Sequence, residues 1–110
     1  MNLVNFKFID NEIINLTIDY NNLVNRIQTL KTIPASLERS SLKQEIIEQK
    51  ENYKNKFEYI NSLIIKYRIN IANQINNTPF TETNSQIYIQ LINNYNQLNE
   101  MLKYIQKFKP

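Results

Sequence analysis

Residues 57–67 read FEYINSLIIKY. On a helical wheel, Phe57, Ile60, Leu63, Ile64, Ile65 and Tyr67 cover a much wider arc than the single stripe a surface helix presents. A helix needs so wide an apolar face when it touches two neighbours at once. The flanking sequence thins to one seam. Upstream the apolar positions are Leu42 and Ile46, then a polar slip at Gln49 and Lys50, then Tyr53; downstream they are Ile71 and Ile75. The slip has the form of a stutter, which changes the supercoil locally.

The neighbours are found by the same count. Phe6, Ile9, Ile13, Leu16, Tyr20, Leu23, Ile27 and Leu30 follow one another in alternating steps of three and four, and Tyr88, Leu91, Tyr95, Leu98, Leu102 and Ile105 do the same. Such spacing keeps every apolar residue on one face of a helix and is the heptad pattern of packed rods. Two breaks separate the combs. The first, KTIPASLERSSL, contains Pro34, with Ser36 and Ser41 as rival caps for the next helix; the second, NNTPFTET, contains Pro79, with Thr78, Thr81 and Thr83 as rival caps. Asp10 is a candidate cap for helix one, which would leave LVNFKF as an extended arm or short strand.

The expected fold is therefore all-α: an elongated antiparallel three-helix bundle with coiled-coil-like heptad packing and a long central helix. The chain of 110 residues forms a single helical domain over 1–110, with helices at about 6–31, 37–76 and 84–108. Even counted from Ser41, the central helix is about 54 Å long at 1.5 Å per residue, against some 25 residues for each neighbour. Short connections make neighbours antiparallel, so helix one lies along the first two thirds of helix two and helix three along the last two thirds. All three overlap only near residues 52–66, the stretch where the apolar arc widens. Each end then has two helices over a seam that needs three. A second copy about a two-fold axis would cover both ends, so a homodimer is expected.

Composition narrows the chemistry. The sequence has no glycine, cysteine or histidine. Without glycine there is no phosphate-cradling loop of the usual kind. Without cysteine there is no thiol nucleophile or zinc-thiolate site, and without histidine the commonest general base and metal ligand are missing. Glu45, Glu48 and Glu51 recur on helix two but alternate with Lys43, Lys50 and Lys54, the pattern of a solvated face. No catalytic, cofactor-binding or metal-binding constellation is read, and the chain is expected to be no enzyme and to need no cofactor.

The N-terminus lacks a basic region followed by an apolar run, and INSLIIKYRINIA is interrupted by Lys66 and Arg68, well short of a membrane span. A soluble intracellular protein is expected, in a host cytoplasm or a virion if the source is viral. Nineteen asparagines and eighteen isoleucines make up about a third of the chain. Both residues have AT-rich codons, which points to the genome of a virus, phage, protist or low-GC bacterium.

Three features are candidates for partner contact. Ile14 and Ile18 form an i, i+4 pair on the side of helix one opposite its comb, amid Asn11, Asn15, Asn22 and Asn25. Neutral amides there avoid the desolvation cost of burying charge. Ile69 and Ile75 lie at the thin end of helix two. The tail LKYIQKFKP offers Lys103, Tyr104, Lys107 and Phe108. The chain's net charge is only +3 and the tail's Lys103, Lys107 and Lys109 are a small footprint for nucleic acid, while dipole complementarity at a helix C-terminus accounts for these lysines. Five tyrosines, Tyr20, Tyr53, Tyr67, Tyr88 and Tyr95, sit on comb positions and read as core rings with hydroxyls at the rim. The function expected is protein–protein interaction or a structural part in a larger assembly. The alternatives are a small viral or mobile-element inhibitor or adaptor and, in another class, a nucleic-acid-associated protein using the basic tail.

Overall fold

The computed structural model describes residues 4–110 as three α-helices, α1 (Phe6–Thr32), α2 (Leu37–Asn77) and α3 (Ser85–Ile105), followed by a 3-10 turn at Gln106–Phe108. Among the described residues there is no strand. The molecule is a rod of 70 × 17 × 16 Å, and α2, at 41 residues and about 61 Å, runs nearly its full length.

The buried side chains are comb residues in every helix: Ile9, Ile13, Leu16 and Leu23 on α1; Ile46, Tyr53, Phe57, Ile60, Ile64 and Ile71 on α2; Leu91, Leu98 and Ile105 on α3. Cross-helix polar pairs give the register. Arg26 reaches Glu45 and Gln49, and Lys56 reaches Asp19, so α1 and α2 run antiparallel. Arg68 donates to Asn99 and Gln106 donates to Asn61, which sets α2 antiparallel to α3. Between about Tyr53 and Arg68, α2 is therefore flanked on both sides. Ile60 and Ile64 are fully buried there, as are Leu16 on α1 and Leu98 on α3. This is the stretch whose wide apolar arc required two neighbours.

Nearby partners for the first-turn amides decide which cap candidate each helix uses. Helix α1 begins at Phe6, not after Asp10: the Asn5 side chain accepts the Phe8 amide at 3.0 Å, which satisfies one of the first-turn donors. Phe6 to Phe8 are thus helical rather than an extended arm, and Met1 to Leu3 lie outside the described residues. Ser36 caps α2, accepting from Arg39 N, and Arg39 also donates through its guanidinium to the carbonyl of Ile33, the C-cap residue of α1, which ties the connection between the two helices. None of the three threonines considered for α3 is its cap. Asn84 occupies that position without a side-chain bond, while Thr81 Oγ1 accepts the Asn84 amide.

The polar slip on α2 also has a physical occupant. At Gln49, where the comb lacks an apolar residue, Arg26 of α1 crosses the seam and donates to Gln49 Oε1 at 2.9 Å and to Glu45 at 2.5 Å. Glu45 is therefore a cross-helix partner rather than part of a purely solvated face. Both side chains are substantially exposed, so the pair fixes register more than it stabilises.

Candidate protein-interaction site

Beyond the shared middle, the two ends of the rod are two-helix hairpins. At one end α1 and α2 continue past the end of α3; at the other α2 and α3 continue past the start of α1. Ile71 and Leu91 are nonetheless buried at the α2/α3 end, and Ile75 is partly buried against the core rather than bare. Ile69 remains 55% exposed, on the opposite side of α2 from its seam.

The Ile14–Ile18 pair stands on an open flank. The two residues are 56% and 51% exposed, and they line a groove of about 780 Å³ between α1 and α3, with Ile13 and Thr17 from α1 and Met101 and Tyr104 from α3. Asp10, Gln97 and Glu100 complete its walls. Tyr104 and the isoleucine pair, read from sequence as separate features, thus share one surface. They meet because α1 and α3, both antiparallel to α2, run parallel to each other and side by side along it. The asparagines around the pair, Asn11, Asn15, Asn22 and Asn25, are all exposed.

The tail behaves differently from a solvated grip. Phe108 turns inward, its ring edge-on to Tyr20 at 5.3 Å and to Tyr104 at 5.4 Å, and the Tyr53 hydroxyl donates to its carbonyl oxygen. Burial pushes the Tyr53 phenol up to about 12, with the neighbouring Tyr20 and the Asp19 carboxylate adding to the rise. Lys107 lies over the Tyr104 ring at 5.3 Å from its centre, a cation–π contact. Lys103 is exposed. Phe108 is therefore a plug between α1 and α2 and not a free aromatic platform. Sequence alone could not place it, because its seat is made by Tyr20 and Tyr53 from two other helices.

A second groove, of about 590 Å³, has no counterpart in the heptad pattern. It lies along the α1/α2 hairpin, where α3 would continue if it were longer. Its floor is Tyr20, Leu23, Val24, Ile27, Ile47 and Tyr53, and its rim carries Lys50, Lys54 and Lys109 beside Glu51. Val24 and Ile47 fall next to comb positions rather than on them, and the lysines read as solvated overhang. Only the abrupt end of α3 turns this seam into a cleft. No family model, curated protein or solved structure matches the chain. Among the described residues no helix is long and apolar enough to cross a membrane.

Proposed function

We propose that the protein acts by non-enzymatic protein contact, as a structural or adaptor component of a larger assembly, with the α1/α3 groove as its primary docking surface. The observation that carries this reading is the convergence of Ile14, Ile18 and Tyr104 on one open apolar groove. Exposed isoleucines scattered singly need no explanation. Two of them a helical turn apart, beside a half-exposed tyrosine and a methionine, form the apolar centre with polar edges that protein interfaces have. The exposed asparagines around the pair suit the same role, since amides are cheaper than charges to desolvate at an interface rim.

The test is site-specific crosslinking in the source cell, with a photoreactive phenylalanine analogue replacing Ile18 or, as a control on another exposed face, Asn55. Protein adducts are expected from position 18 and not from position 55. Equal labelling from both positions, or none from either, removes the groove as a docking surface. A nucleic-acid adduct from position 18 would move the protein into the nucleic-acid-associated class.

A further inference from the structure

The two grooves lie end to end on one flank of α1. Ile13 and Thr17 line the first, and Tyr20, Val24 and Ile27 line the second. These five residues follow in steps of four and three, so they share a single helix face. The grooves differ in charge. The charged residues lining the first are Asp10 and Glu100, both acidic; the second has Lys50, Lys54 and Lys109 against one acid, Glu51. Lys107 lies over the ring of Tyr104, one of the first groove's lining residues. Among the described residues the ion pairs are Arg26–Glu45 and Asp19–Lys56, so the charges of both grooves are unpaired.

From this arrangement we infer that the occupant of each groove is a second copy of the chain, packed antiparallel about a two-fold axis. The inference rests on the contact reading above and names the partner. Ile14 and Val24 mark the middles of the two grooves, and ten residues of helix separate them by about 15 Å. A two-fold axis crossing α1 midway, near the Tyr20–Phe108 cluster, places the acidic groove of each copy on the basic groove of the other. The Ile14–Ile18 ridge and Tyr104 of one copy then enter the cleft of Val24, Ile27 and Ile47 in its partner, at the position left vacant by the end of α3. Because the contact is isologous, it occurs twice and closes, giving a dimer rather than a filament. Opposite charges facing across it favour this register over the parallel one, which would set lysines against lysines.

The test uses two charge-reversal variants of the full chain, K50E/K54E and D10K/E100K, all four positions being exposed. Light scattering and sedimentation at about 100 μM and low salt should give the wild type at twice the 13.2 kDa chain mass. Each variant alone, with like charges at both contacts, should dimerise at least tenfold more weakly. An equimolar mixture should restore the dimer as a heterodimer, because each contact then again pairs an acidic groove with a basic one. Circular dichroism of each variant establishes that it is folded; a variant that fails to fold is replaced by the single substitutions K54E and E100K, which make the same comparison. Variants that dimerise like wild type, or a mixture that stays monomeric, overturn the inference. A monomeric wild type overturns it as well, while protein adducts from position 18 to another polypeptide would leave the contact reading standing.

Discussion

Ile64 sits where all three helices meet and is fully buried, whereas Ile47, on the same helix, is 51% exposed over the second groove. Replacing each with alanine removes the same three carbons from very different surroundings. At Ile64 the lost transfer energy is about 2.4 kcal/mol, at ~0.8 kcal/mol per buried carbon. A cavity term adds to this, because α1 and α3 both hold the walls apart, and the total falls at about 3–4 kcal/mol, within the range for buried Ile→Ala changes. In the single chain about half of the Ile47 side chain is already wet and no closed cavity forms, so at concentrations dilute enough to keep the chain monomeric the cost should stay below about 1 kcal/mol. For a domain of this size each kcal/mol lowers the melting temperature by roughly 4–8 °C. Thermal denaturation followed by far-ultraviolet circular dichroism should therefore show Ile64→Ala melting at least ~12 °C below wild type and Ile47→Ala within a few degrees of it. Since a domain this small has only about 5–15 kcal/mol to lose, the first variant should also lose the flat native baseline at 37 °C. Equal melting temperatures for the two variants would refute the three-helix core at residues 53–68.

Two further outcomes follow from local geometry. Asn5→Ala should cost about 1 kcal/mol by removing the bond to the Phe8 amide, whereas Asn84→Ala should change stability by less than ~0.5 kcal/mol, because Asn84 caps α3 without a side-chain bond; urea titrations of the pair distinguish the two caps. The Tyr53 phenol stands at about 12 in the folded chain against an ordinary 10.0. Below pH 10 both folded and unfolded forms keep the proton, and between pH 10 and 12 the unfolded chain releases it first, so its share of stability is lost as pH rises through that window. Tyr53→Phe should flatten this alkaline decline relative to wild type and loosen the tail at Phe108; identical pH profiles from 9 to 12 would show that the hydroxyl is not held.

Much of this architecture is legible without coordinates. The steps of three and four at Ile9 to Ile27, Phe57 to Ile71 and Leu91 to Ile105 fix which face of each helix is dry, because side-chain direction in a helix depends only on position along the chain. The excess of apolar residues at 57–67 shows where two neighbours touch α2, since one neighbour cannot cover so wide an arc. Relative helix lengths and short connections then place the overlap and the thin ends. The Ile14–Ile18 pair stands out for the same reason, as it lies off the seam.

What lies beyond the sequence depends on distances between helices. Arg26 meets Gln49 across the seam only once α1 and α2 are in register, and Asn5 wins over Asp10 as a cap because its oxygen reaches the Phe8 amide. Phe108 turns inward because Tyr20 and Tyr53 together form a seat that neither helix has alone. Ile14 and Tyr104, ninety residues apart, share a groove because α1 and α3 lie parallel along α2, and the lysine-rimmed cleft exists because α3 stops before α1 does. Periodicity is a property of one helix at a time, so it gives faces; a groove is bounded by two, and its charge and shape arise only when they pack.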